Sequence, residues 1–134
     1  MSGRESTNPS DWVARADQDL GSAKFLFERP DEFPATIADH CHQAVEKYLK
    51  AFLISKAGSH PKIHSLTALL HLSEEYDQTL HILHKECELL DPMYIEDRNP
   101  FEYPSDLTNE ELTSFIKAAE TIREAVVLRI LPKK

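Results

Sequence analysis

His40-Cys41-His42-Gln43-Ala44-Val45-Glu46-Lys47-Tyr48-Leu49-Lys50-Ala51-Phe52-Leu53 decides the fold of this chain. Ile37 just before it, then Cys41, Ala44, Tyr48 and Phe52, recur every three or four residues, and Val45 and Leu49 widen the stripe. That period marks an α-helix with a buried side. Pro34 can open the helix, because a first-turn residue has no intrahelical use for its N–H. Gly58 supplies the stop, so the predicted helix runs 34–57. His42, Gln43, Glu46, Lys47 and Lys50 break into the apolar pattern. Glu46 and Lys50 form an i,i+4 pair in the favourable order, worth ~0.3–0.5 kcal/mol if it lies solvated on a helix surface. The alternative is that these polar groups frame a site.

The same period continues on both sides. Trp12, Ala16, Leu20, Ala23 and Phe27 predict a first helix opening near Ser10, with Ser10 or Asp11 as N-cap, and ending before Pro30. Leu66, Leu69, Leu70 and Leu72 predict a short third helix over about 65–76. A fourth starts at or just after Asp77, with Leu80, Leu83, Cys87 and Leu90 inward, and Pro92 stops or kinks it. Residues 95–107 carry Asp97-Arg98-Asn99 followed by two prolines, Pro100 and Pro104, and read as a long connection, a kind of segment that often carries function. Thr108-Asn109-Glu110-Glu111 is a capping box that opens the last helix. Leu112, Phe115, Ala119, Ile122, Val126 and Ile130 give that helix its stripe, and Pro132 closes it. No stretch alternates with period two. The expected fold is all-α: an up-and-down antiparallel helical bundle of four long helices plus one short helix, a single domain over 10–131 behind a disordered leader, 1–9.

Composition agrees and sets limits. A chain of 134 residues with only 3 glycines is poorly suited to a many-turned sheet or a glycine-rich phosphate loop. The formal net charge of -8 disfavours a broad nonspecific nucleic-acid surface, which needs Lys and Arg to displace counterions, but it allows a local basic cleft. Cys41 and Cys87 form no CxxC and read as buried, reduced thiols. No apolar run approaches the ~18 residues a membrane span requires, so a cytoplasmic protein is expected.

His42-Gln43-Ala44-Val45-Glu46-Lys47-Tyr48-Leu49-Lys50-Ala51 resembles the HEPN family's Gln-Ala-x-Glu-Lys-x-Leu-Lys-Ala helix. His64-Ser65-Leu66 stands where that family has His, a small or polar residue, then Leu; Asp17-Gln18-Asp19-Leu20 and Tyr103-Pro104 also fit. The resemblance covers about residues 11–130 and implies a five-helix bundle, usually a homodimer. Many small stand-alone members are encoded beside a minimal nucleotidyltransferase and act as its partner in a toxin–antitoxin-like pair. Some are metal-independent ribonucleases whose motif is Arg, a polar residue, a short gap, then His. Others lack that motif and are nucleotide-binding or scaffolding domains.

Arg98-Asn99 matches the start of the nuclease motif, but Tyr103 stands where the His is wanted, and no histidine follows His84. RNA cleavage without metal needs a base near neutrality, a role that suits His by its pKa and Tyr poorly. The resemblance therefore implies a homodimer partnered by a nucleotidyltransferase, with a polar cleft for nucleotide or RNA. In that cleft Lys47, Lys50 and Arg98 handle phosphate, Asn99 and Tyr103 contact base or sugar, and Gln43 and Glu46 shape the walls. His64 is either a cap beside the third helix or a member of the cleft. Arg98, Tyr103 and His64 are the catalytic candidates if the protein is an atypical ribonuclease; a non-catalytic interaction module is the third reading. Arg98 could equally pair with Glu96, Asp97 or Glu102 and pin its own loop. His81 and His84 share a helical face, and His60 and His64 are four apart. With neither HExxH nor finger spacing, no metal and no other cofactor is expected.

Overall fold

A computed structural model describes residues 6–94 and 106–130. Among these the fold is entirely helical. The order is α1 (Pro9–Leu26), α2 (Pro34–Ala57), α3 (Leu66–Glu74), a 3₁₀ turn (Gln78–Leu83), α4 (His84–Leu90), a second 3₁₀ turn (Asp91–Met93) and α5 (Asn109–Ile130). The expectations for 1–5, for 95–105 and for the Pro132 stop fall outside the described residues.

α2 is the axis of the bundle and packs against α1, α3, α4 and α5. That position explains its composition. Ile37, Cys41, Ala44, Val45, Tyr48, Leu49 and Phe52 are all buried, so the helix is covered on far more than one side. Fully burying such a side chain contributes roughly 1.5–3 kcal/mol each. α1 crosses it antiparallel, with Asp17 opposite Tyr48 and Asp19 opposite His40 and Lys47. α5 runs antiparallel to α1, joined through Asp17–Arg123 and Lys24–Glu120. Arg129 near the end of α5 meets Asp77 at the start of the 3₁₀ turn.

The predicted ends of α2 and the predicted start of α5 hold for the expected reasons, while α3 starts as expected but stops at Glu74, short of Tyr76. Gly58 adopts φ 80 as the left-handed C-cap of α2, and Ser65 caps α3 by accepting from the Ala68 N–H. At α5, Glu111 N–H donates to Thr108 Oγ1 at 3.1 Å, while Glu111 Oε1 accepts from Thr108 N–H at 2.9 Å. α1 differs. Its N-cap is Asn8, whose Oδ1 accepts from Ser10 N–H, so the helix opens at Pro9, ahead of Ser10. It ends at Leu26, before Phe27-Glu28-Arg29 turn out of the helix. The fourth helix also differs from a single long rod. Asp77 Oδ1 accepts from Thr79 N–H, a local cap that starts a tighter 3₁₀ turn before α4 continues. Cys41 and Cys87 are free and buried, and burial pushes each thiol up to about 12, which keeps them protonated.

Candidate functional site

On one side of α2, His42, Glu46 and Lys50 follow one another at i,i+4 spacing, so a single helical face carries all three. This face is turned inward. His42 is 0 % exposed, Glu46 6 % and Lys50 5 %. The Glu46–Lys50 pair, 2.8 Å apart, is thus not the solvated surface pair its spacing suggests. Desolvating two charges is costly, and the ion pair must recover that cost through its geometry. Glu46 Oε2 does so twice, accepting from Lys50 Nζ and bonding His64 Nδ1 at 3.0 Å. Glu46 Oε1 stands 3.8 Å from His42 Nδ1 without a hydrogen bond. Among the described residues neither His42 nitrogen has a well-aligned hydrogen-bond partner, though the His64 backbone pulls on the ring. Burial lowers His42 to about 4, against the opposing pull of Glu46 and Asp91, so the ring is neutral at pH 7. Polar atoms kept buried and unpaired in a folded protein call for an explanation beyond stability.

Two further elements complete the cluster. His64, in the link between α2 and α3, stacks on Tyr94 with ring centroids 4.7 Å apart and planes 15° from parallel. His42 lies against the same tyrosine at 5.2 Å. Asp91, after α4, reaches back to the start of α3. It accepts from Leu66 N–H at 2.7 Å and Thr67 N–H at 3.3 Å, and from Thr67 Oγ1 at 2.9 Å. A carboxylate there suits the positive end of a helix and fixes the His64-Ser65-Leu66 corner against α4. His64 keeps nearly half of its side chain exposed, at 47 %, and its Nε2 makes no hydrogen bond among the described residues.

The other polar face of α2 is directed at α1. Lys47 Nζ donates to Asp19 Oδ2 at 2.6 Å, and His40 Nδ1 bonds Asp19 Oδ1 at 3.3 Å. Tyr48 OH donates to Asp17 Oδ1 at 2.5 Å, and Arg123 Nε donates to the same oxygen at 2.8 Å. Burial pulls Asp19 up, but the hydrogen bonds from His40 and Lys47 win and hold it below the usual carboxylate range. Asp17 behaves alike through Arg123 and Tyr48. The Asp17 and Asp19 of the sequence motif are therefore seam residues joining α1, α2 and α5.

These positions revise the expected cleft. Lys47 does not join Lys50 in one cleft, although i,i+3 spacing puts them only ~60° apart, because it is committed to Asp19 of α1 while Lys50 turns to Glu46. Lys50 is committed to Glu46 and buried, which leaves it no face for phosphate. Its role is to hold the Glu46 carboxylate in place. Gln43 is half-buried and its side chain bonds nothing among the described residues. Glu46 and His64 do come together. Arg98, Asn99 and Tyr103 lie outside the described residues. Sequence reasoning set His42 among the polar groups of this helix without giving it a role, and missed Asp91 and Tyr94 as members. His42 had a signal, four residues before Glu46 in the deciding helix; Asp91 is 25 residues from Leu66 and had none. A separate group, Glu74, His81 and His84, has the donor types of a metal site.

Chemically, a carboxylate on one imidazole nitrogen fixes the ring's orientation and tautomer. Glu46–His64 is such a pair, with an aromatic face beside it. No helix among the described residues is long and apolar enough to cross a membrane.

Comparison with known proteins agrees with this architecture. The fold is similar to the crystal structure of an archaeal HEPN homologue, at 20% identity and a TM-score of 0.73, over 92% of this chain and 98% of that one. It is also similar to the crystal structure of TT1696 from Thermus thermophilus, at 26% identity and a TM-score of 0.77, with the same coverage. No curated protein sequence is significantly similar to the chain. The HEPN domain model matches residues 9–130, the whole bundle. The chain belongs to the HEPN domain family.

Proposed function

We propose that this protein is a homodimeric partner of a minimal nucleotidyltransferase, in a toxin–antitoxin-like pair. In this reading it binds nucleotide or RNA at the polar edge formed by His64 and Tyr94. One observation carries the ligand half: the half-exposed His64 ring, tethered through Nδ1 to buried Glu46 and stacked on Tyr94. When doubly protonated, such an imidazole donates its Nε2–H to a phosphate oxygen, and neighbouring rings offer a face on which a base can stack. Arg98, Asn99 and Tyr103 belong to the proposal on sequence grounds alone. Arg98 follows Tyr94 by four residues in the chain. Its guanidinium would bind phosphate bidentately, and Tyr103 would stack on a base. The dimer and the nucleotidyltransferase partner rest on family membership.

Calorimetric titration with ATP and with a short single-stranded RNA tests the ligand half. His64→Ala and Arg98→Ala should each weaken the measured affinity about tenfold, the effect of losing one charge-assisted hydrogen bond. Affinity unchanged in both variants removes the cleft as placed here and leaves an interaction module. Light scattering tests the dimer, and a strict monomer removes any shared cleft. Co-purification with the product of a neighbouring nucleotidyltransferase reading frame tests the pair.

A second reading has its own observation. Tyr103 occupies the motif position where a base is wanted, and Glu46–His64 supplies an oriented imidazole elsewhere. In this reading His64 takes the 2′-hydroxyl proton as the 2′-oxygen attacks phosphorus, the P–O5′ bond breaks with water protonating the leaving 5′-oxygen, and Arg98 stabilises the charged phosphorane-like state. RNA cleavage that survives both His64→Ala and Arg98→Ala, or that never occurs, eliminates it.

A further inference from the structure

At the end of α3 opposite the His64 cluster, about 12 Å along the helix by its rise per residue, three metal-type donors converge. Glu74 is the last residue of α3, His81 lies in the 3₁₀ turn and His84 opens α4. Glu74 Oε1 is 3.2 Å from His81 Nδ1, and Glu74 Oε2 is 2.8 Å from His84 Nε2. One ligand atom from each lies within 4.8 Å of the other two. We propose that Glu74, His81 and His84 bind a divalent transition-metal ion of the zinc class and thereby clamp α3 to α4.

The spacings fit that chemistry. Donors at ~2.0–2.2 Å from a tetrahedral ion are separated by ~3.3 Å. The observed separations need only small side-chain adjustments to reach it. Two imidazoles and one carboxylate are also the right donor set for zinc, which takes nitrogen and oxygen ligands without a strong geometric preference. Glu74 Oε2 is buried and accepts no aligned hydrogen bond, even though His84 Nε2 stands so close. The two histidine rings crowd one another, with centroids 4.7 Å apart, an arrangement a shared cation favours.

The backbone explains how the donors meet. In a 3₁₀ turn, residues i and i+3 eclipse, which brings His81 and His84 over one another. That turn is fixed before any ion arrives. Asp77 caps it through Thr79 N–H at 3.0 Å, and Arg129 of α5 holds Asp77 at 3.1 Å. His81 keeps 74% of its side chain in solvent, and the adjoining cavity of about 460 Å³ gives an ion an entry path. Three protein donors leave a fourth position for water or an external ligand on that open side.

Calorimetric titration of the chelator-treated full chain with zinc chloride tests the site. The expected result is one saturable site per chain and a melting temperature raised by zinc. His81→Ala, an exposed change that leaves the fold intact, should weaken binding at least about tenfold, and His84→Ala likewise. His60→Ala, at another corner, should bind zinc as the unaltered chain does. The proposal is overturned if the unaltered chain has no saturable site, which leaves ordinary carboxylate–imidazole pairs. It is equally overturned if His81→Ala and His84→Ala bind normally, or if His60→Ala alone abolishes binding.

Discussion

α2 carries two polar faces, roughly a third of a turn apart, and they are built differently. On the α1 side, Asp19 receives His40 and Lys47, and Asp17 receives Tyr48 and Arg123, so each carboxylate has two donors. On the α3–α4 side, Glu46 receives Lys50 and His64, yet among the described residues neither the His42 ring nor Glu46 Oε1 has a well-aligned hydrogen bond. The first face is more exposed and fully paired; the second is buried and incompletely paired. A seam selected for stability should look like the first. The second tolerates unpaired buried atoms, as functional sites do. Two histidines on one helix state the contrast. Asp19 raises the pKa of His40, against the opposing effect of burial, while burial lowers that of His42.

Lys50→Met should separate the two faces most strongly. It strands the Glu46 carboxylate in the interior, and removing one partner of a buried pair costs ~3–5 kcal/mol. Urea unfolding measures this. Adding Glu46→Gln should restore much of the loss, because the stranded charge goes with it. A loss under ~1 kcal/mol would mean that the pair behaves like a solvated one after all.

His42→Leu should change how stability depends on pH. The unfolded His42 takes up a proton near ~6.5, whereas in the folded chain it does so only at about 4. Between those values the unfolded state binds more protons, so the folded state loses stability as pH falls through that window. The leucine variant should escape roughly 2–3 kcal/mol of the loss seen between about pH 7 and pH 4.5. His40 has the opposite sign: its raised pKa stabilises at acid pH, and that contribution fades as pH rises through its folded value. Parallel unfolding curves for the His42→Leu and unaltered chains at both pH values would refute the assignment of a neutral buried imidazole.

Lys47→Ala should have the smallest effect, about 1 kcal/mol or less, since its pair with Asp19 is partly solvated and His40 remains on the same carboxylate. A larger loss would make the two faces energetically alike and weaken the distinction.

The sequence by itself determined the helices and most of their ends. Apolar spacing every three or four residues, Gly58 at a positive φ and the Thr108–Glu111 box are local instructions, read within a few residues of where they act. The break at Gln78–Leu83 was less legible, because an apolar period cannot tell a 3₁₀ turn from an α-helix over six residues. The order Gln43-Ala44-x-Glu46-Lys47-x-Leu49-Lys50-Ala51 also pointed to the family that the full-length match established. Tertiary structure alone decided what the polar residues do. Glu46 and Lys50 spell a surface pair until four helices close around α2 and remove the water. Lys47 spells a cleft residue until α1 brings Asp19 against it. Asp91 reaching Leu66, and Glu74 meeting His81 and His84, depend on how α3 and α4 dock. Helix formation is set by neighbours in sequence, whereas burial, pairing and pKa are set by neighbours in space.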